Sequence, residues 1–132
     1  AIRPWQHVLE PLIGYLMVAE DLFESGHQNN DAWNFGPRAS DIRTVAEIAK
    51  LFAGEWGVDN IEEEKNSQHY HEANLLSLDS TKAYSKLNWQ PIWNVEVAIK
   101  KTAEWYQDFE KKIDILDKTN QQIQEYISAV KL

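Results

Sequence analysis

A pattern typical of a strand changes to one typical of a helix within the stretch Ile2-Arg-Pro-Trp-Gln-His-Val-Leu-Glu-Pro-Leu12. Up to Leu9 apolar residues alternate with polar ones, which predicts a short extended segment interrupted by Pro4. Glu10 and Pro11 then predict the start of a helix, because proline is tolerated in the first turn and an acidic side chain suits the positive end of the helix dipole. A strand that leads directly into a helix indicates a mixed α/β fold.

The composition narrows the class of protein. The 132 residues suffice for one domain, are 43% hydrophobic and carry a formal net charge of −8. A chain this acidic is repelled by nucleic acid and by anionic membrane surfaces, so we expect neither as a partner. The longest uncharged apolar run is too short for a bilayer span, which needs about 20 residues. Cysteine is absent, which is compatible with a cytoplasmic location.

The predicted first helix ends at Ser25-Gly26. Its apolar residues repeat at intervals of three and four and form one stripe, made of Leu12, Tyr15 or Leu16, Ala19, and Leu22 or Phe23. A second helix is predicted from the capping-box spacing of Thr44 and Glu47, and Gly57 is a suitable stop. Its expected buried face consists of Val45, Ile48, Ala49, Phe52 and Trp56. Trp33 and Trp105 are likewise predicted to be core residues.

Further local signals follow along the chain. The run 32–35 predicts a short strand, and Asp79 is expected to cap a short helix that ends at Leu87-Asn88. Asn94 predicts the cap of another helix, and Thr119 with Gln122 forms a weaker capping box for the last one. The result is a mainly helical α/β unit whose few short strands cannot close a sheet. We therefore expect residues 1–132 to be part of a larger unit.

Arg3 is the first candidate for chemistry. It stands just before a predicted helix start, and a guanidinium beside the positive end of a helix dipole favours a diphosphate. The alternative is a surface ion pair with one of the 21 carboxylates, an arrangement that is common and weak.

The second candidate is the run Gln68-His-Tyr-His-Glu72. On a strand His69 and His71 would share a face, which permits polar contacts with a ligand or half of a metal site. A zinc site needs further ligands at convergent positions, and no His-x-x-x-His or Glu-x-x-His spacing supplies them. Ordinary solvated histidines are the third interpretation, and we predict no metal site.

The sequence lacks the motifs of a self-sufficient redox enzyme. It has five glycines and no Gly-x-Gly-x-x-Gly run, so we expect no cofactor-binding residues. Neither Tyr70 nor Tyr84 is followed at the right spacing by a lysine that would lower its pKa, so no acid–base pair is evident. We predict no catalytic residues within this chain.

The opening run 3–12 resembles the segment that begins the C-terminal, substrate-binding half of extended short-chain dehydrogenase/reductases. The runs 32–37, 76–82 and 87–91, the Thr44-Val45 helix and the Trp105-Tyr106 helix follow in the same order. The resemblance spans essentially all 132 residues. Within that family three segments are similar in sequence to a nucleotide-sugar 4,6-dehydratase: the run 3–11, the motif His69-x-His-Glu-Ala73 and the tail 122–126.

The resemblance implies a parent enzyme with an N-terminal Rossmann domain that binds NAD, which is absent from this chain. The parent would oxidise a CDP-sugar at C4, eliminate water across C5–C6 and return the hydride to C6. It would be a cytoplasmic homo-oligomer, and the Tyr-x-x-x-Lys pair would lie in the absent half. The chain opens at Ala1 without methionine, so we expect the natural polypeptide to begin earlier.

The resemblance also assigns site residues. Arg3 stands where relatives contact the nucleotide diphosphate, and Glu72 where they often contact the ribose. His69 falls where many relatives carry a phosphate-binding arginine, which departs from the family pattern, and His71 is a neighbouring candidate. The alternatives are another extended reductase that acts on a different nucleotide sugar, as an epimerase or a dehydratase, and a binding module without a cofactor domain.

Overall fold

The computed structural model describes residues 1–26, 31–62 and 75–130. Within these ranges it contains a two-stranded sheet, a short 3-10 turn (Ala39–Asp41) and five α-helices. The strands and helices are β1 (Ile2–Pro4), α1 (Leu9–Ser25), β2 (Ile42–Thr44), α2 (Val45–Trp56), α3 (Thr81–Leu87), α4 (Val95–Glu110) and α5 (Ile115–Ala129). The predicted class, mainly helical α/β with short strands, is confirmed.

Strands β1 and β2 pair antiparallel, with Arg3 opposite Arg43. The predicted extended segment is thus a strand only over its first part, because Pro4 cannot extend a hydrogen-bonded ladder. Leu76 donates its backbone N–H to the Ile2 carbonyl at 3.2 Å, which adds a short parallel bridge on the other edge.

Helix α1 begins at Leu9, one residue before the predicted start at Glu10 and Pro11, and ends where Gly26 adopts a left-handed conformation with φ 63°. The apolar stripe predicted from the sequence faces solvent, with Leu16 66% exposed. The side that packs inward centres on Gly14, whose missing side chain makes room for the Phe35 ring: a Cβ there would lie 2.6 Å from it.

Helix α2 follows β2 through the predicted capping box. Glu47 donates its backbone N–H to the Thr44 hydroxyl, and the Glu47 carboxylate accepts from the Thr44 N–H. Gly57 closes the helix in a left-handed conformation, as predicted. The predicted buried face is only partly right: Ile48 is buried, whereas Val45 and Trp56 are exposed, because the neighbouring α4 covers only part of this face.

Two further caps are confirmed. Asn88 ends α3 in a left-handed conformation, and the Asn94 side chain accepts the N–H of Val97 at the start of α4. The predicted capping box at Thr119 is wrong. Helix α5 begins earlier, at a cap formed by Asp114, and the Thr119 hydroxyl lies inside the helix, where it donates to the Ile115 carbonyl.

The run 32–35 is not a strand. It pairs with no other strand in the described part of the chain, and side chains from the start of α3 hold it instead. Lys82 bonds Asp31 and the Ala32 carbonyl and lies over the Trp33 ring, while the Gly36 N–H donates to the Ser80 hydroxyl at 2.8 Å. These polar contacts replace the ladder that a strand would need.

The core lies between α1, α3 and the turn that follows α3. It is built on Phe35, Ala83 and Trp89, with Ile13, Met17, Val18, Trp33 and Leu87 packed around them. Helix α4 packs between α2 and α5. Of the tryptophans predicted as core, Trp33 and Trp105 are half-buried and Trp56 is exposed. Among the described helices, none is long and apolar enough to span a bilayer.

Candidate functional site

Two arginines face each other across the strand pair. Arg3 on β1 and Arg43 on β2 are direct cross-strand partners, so their side chains emerge on the same face of the ribbon. Like charges in this position oppose each other, and the Glu96 carboxylate, 3.4 Å from Arg43, offsets part of this repulsion. The chain has only three arginines in all, and its net charge is −8. Two of the three arginines therefore lie on the same face of the ribbon.

The surrounding contacts hold both strands in place. Arg3 donates from Nη1 to the Ile2 carbonyl at 2.9 Å. Arg43 bonds the Ser40 carbonyl and lies 3.4 Å from the Glu96 carboxylate on α4. The Trp5 indole N–H donates to the Arg43 carbonyl at 3.2 Å, which ties the end of β1 to β2. The Arg43 guanidinium is therefore held by the 3-10 turn and by α4, and the Arg3 guanidinium contacts the backbone of its own strand.

The chemistry available here is anion binding. A guanidinium presents five N–H donors in a plane, a geometry that matches phosphate oxygens, and it stays protonated at any physiological pH. The predicted neighbour of Arg3, the start of α1, is separated from β1 by residues 5–8. In the structure the residue next to Arg3 is therefore a second arginine, Arg43 on β2, and not the start of a helix.

The other predicted site residues, His69, His71 and Glu72, lie outside the described residues, so their assignment stays a prediction. Within residues 1–26, 31–62 and 75–130 no group of three or more histidines, cysteines and carboxylates is placed to hold a metal.

The chain's glycines do not form a dinucleotide-phosphate loop. Gly14 and Gly54 lie inside helices, Gly26 and Gly57 end helices, and a Cβ at Gly36 would lie 2.6 Å from the Leu78 side chain. The glycines therefore supply no glycine-rich loop for a dinucleotide phosphate, and the binding of NAD by sequence outside this chain stays a prediction.

Sequence reasoning missed the most buried polar group in the structure. Glu10, predicted to be a helix-dipole residue, is fully buried and accepts the backbone N–H groups of Ile92 and Trp93, the latter at 2.7 Å. The Tyr126 hydroxyl donates to the same carboxylate at 2.6 Å. Glu10 thereby joins α1, the turn before α4 and the end of α5.

Two neighbours of Glu10 have strongly shifted pKa values. Burial, followed by the hydrogen bond to Glu10, raises the pKa of Tyr126 far above its ordinary value. Burial, followed by the positive charge of Lys101, lowers the pKa of His7 from 6.5 to about 4. His7 is neutral at pH 7, accepts the Leu9 N–H at Nδ1 and contacts the Trp93 ring edge-on. Its charge therefore plays no part in anion binding.

The signals for these residues are non-local. Arg43 belongs to the site because β1 and β2 pair 40 residues apart, and nothing in the sequence around Ile42–Thr44 predicts that strand. Glu10 and Tyr126 meet across 116 residues. The one local hint was a charged residue among apolar neighbours at the start of a helix.

No protein-family model matches the chain. A search of curated proteins finds similarity to a dehydratase that acts on a nucleotide sugar. That relative is CDP-glucose 4,6-dehydratase of Salmonella typhimurium, which is 39% identical over 129 residues. The match covers 98% of this chain and 36% of the relative, so the chain spans about a third of that protein's length. The resemblance expected from the sequence is confirmed.

Proposed function

We propose that this chain is the C-terminal, nucleotide-sugar-binding part of an NAD-dependent CDP-glucose 4,6-dehydratase. The parent would convert CDP-glucose to CDP-4-keto-6-deoxyglucose with loss of water. The observation that carries the proposal is similarity to an enzyme of that name along 98% of the chain. Sequence outside this chain would supply NAD binding and the catalytic residues, so residues 1–132 alone are inactive.

Arg3 is the proposed contact to the diphosphate. Support comes from its place on β1 opposite Arg43, which concentrates positive charge on one face of the ribbon in an acidic protein. Glu72 is proposed to bind the ribose, and His69 and His71 to lie near the phosphates. The cytoplasmic location and the assembly into a homo-oligomer stay predictions.

The substrate test uses the natural polypeptide that contains this chain. CDP-glucose, dTDP-glucose and GDP-mannose are supplied separately with NAD, and the 4-keto product is measured. We expect turnover of CDP-glucose alone. Turnover of another nucleotide sugar in its place would identify a different extended reductase, and binding without turnover of any would identify a non-catalytic binding module.

The site test compares Arg3→Ala with Lys50→Ala, which removes one positive charge from an exposed position on α2. Loss of a charged hydrogen-bond donor costs about 1.5–3 kcal/mol, so Arg3→Ala should weaken CDP binding by roughly 10- to 150-fold. Lys50→Ala should leave the dissociation constant unchanged. Equal dissociation constants for the two variants, measured by calorimetry, would refute the role of Arg3.

A further inference from the structure

Helix α1 exposes a continuous row of large apolar side chains. We define its outer face as the N-cap residue Val8 together with Leu12, Tyr15, Leu16 and Phe23, which lie on one side of the helix. Each of these side chains is exposed in the structure, Leu16 by 66% and Phe23 by 89%. Single exposed apolar residues are ordinary on protein surfaces, whereas a full helical row of them marks a surface that another body covers.

The opposite side of α1 is apolar too. Ile13, Met17 and Val18 pack against the core cluster, and Gly14 is buried against the Phe35 ring. A helix that is apolar on both sides is characteristic of the interior of a larger unit, because a helix at the surface keeps one polar face. Helix α1 therefore has the composition of a core helix and the position of a surface helix.

The outer face continues into a groove. Val8 and Leu12 also line a cleft of about 560 Å³ between α1, α4 and α5, together with Trp105, Tyr106 and Ile123. The helical row and the groove form one apolar surface, which is larger than a single side chain from a partner could cover.

We infer that the outer face of α1 packs against the remaining sequence of the same polypeptide, in an intramolecular domain interface. This inference rests on the proposed function. The curated relative is nearly three times as long as the part that this chain covers. Under the proposed function the natural polypeptide has a similar length and therefore includes a second body large enough to cover this face.

The negative charge of α1 argues against a second copy of this helix as the surface that covers the outer face. Helix α1 carries four acidic residues (Glu10, Glu20, Asp21 and Glu24) and no basic residue. Of these, Glu20 and Glu24 are exposed at the edge of the outer face. Two such helices side by side would bring like charges together with no opposite charge on either. The occupant should instead present apolar side chains with basic residues opposite the second half of α1.

The test is hydroxyl-radical footprinting of the natural polypeptide, unmodified and without substrate. Tyr15 on the outer face and Tyr84 on α3 are matched reporters, because they are the same residue type and are 62% and 58% exposed in this chain. We expect Tyr15 to be oxidised at least fivefold more slowly than Tyr84 over a wide range of protein concentrations.

A thiol reporter gives an independent measurement, because the chain has no cysteine of its own. Leu16→Cys and Leu116→Cys replace residues that are 66% and 61% exposed. We expect alkylation at position 16 to be at least tenfold slower than at position 116, followed site by site with mass spectrometry.

Equal rates at the two tyrosines or at the two thiols would overturn the inference. So would protection of Tyr15 that disappears on dilution, since it would identify a second copy as the occupant. Turnover of CDP-glucose is measured in the same preparation. Protection without turnover contradicts the proposed function and supports the interface, and turnover without protection does the reverse.

Discussion

The Tyr126 hydroxyl donates a hydrogen bond of 2.6 Å to the buried Glu10 carboxylate, across 116 residues of sequence. Both Glu10 oxygens are used, because they also accept the N–H groups of Ile92 and Trp93. The contact fixes the last helix to the first and determines where the turn before α4 lies.

Glu10→Gln should destabilise the protein, because an amide NH₂ would face a donor in place of a carboxylate oxygen. A buried donor without a partner, together with the loss of a charge-assisted bond, costs about 2–4 kcal/mol in the free energy of unfolding. Urea unfolding followed by tryptophan fluorescence measures it. The control, Glu20→Gln at an exposed position of the same helix, should change stability by less than about 0.5 kcal/mol. Equal stability of the two variants would contradict the structural role of Glu10.

The lowered pKa of His7 predicts a loss of stability in acid. The unfolded chain binds a proton at His7 near pH 6.5, whereas the folded protein does so only near pH 4. Stability contributed by neutral His7 is therefore complete above pH 6.5 and falls as the pH drops, by about 3 kcal/mol at pH 4.

His7→Asn isolates this effect, because asparagine keeps a hydrogen-bond acceptor for the Leu9 N–H and does not titrate. The difference in unfolding free energy between the parent and this variant should shift in favour of the variant between pH 6.5 and 4. A difference that is flat across this range would contradict the prediction.

Substituting alanine at two glycines should change the stability of the protein in opposite directions. A Cβ at Gly14 would lie 2.6 Å from the Phe35 ring, so Gly14→Ala should cost about 1–3 kcal/mol of stability through overpacking. At Gly54, inside α2, a Cβ meets nothing within 4 Å, so Gly54→Ala should stabilise the protein by about 0.5–1 kcal/mol. Thermal unfolding of both variants checks the signs, and a stabilising Gly14→Ala would show that the ring moves freely.

Arg43 and Glu96 should act on diphosphate affinity in opposite directions. Arg43→Ala removes a positive charge beside Arg3 and should weaken CDP binding by about fivefold, or about 1 kcal/mol. Glu96→Gln removes the carboxylate that lies 3.4 Å from Arg43 and should tighten binding. Calorimetry at low salt measures both, because added salt screens exposed charges. Weakening by both variants would indicate a structural role for the ion pair.

Several helix ends could be predicted from the sequence, although the start of α5 could not. The Thr44–Glu47 capping box, the left-handed Gly26, Gly57 and Asn88, and the Asn94 cap depend on hydrogen bonds and backbone angles within a few residues. The resemblance of the chain to a nucleotide-sugar dehydratase was likewise carried by short runs of sequence.

Only the tertiary structure decided which surfaces meet. The sequence showed an apolar stripe on α1, but a helix that is apolar on both sides does not reveal which side faces inward, and here Gly14 and Phe35 decide it. The cross-strand arginines depend on the pairing of β1 with β2, and the burial of Glu10 depends on Tyr126 at the far end of the chain. Periodicity and caps act between near neighbours, whereas these contacts form only when distant segments pack.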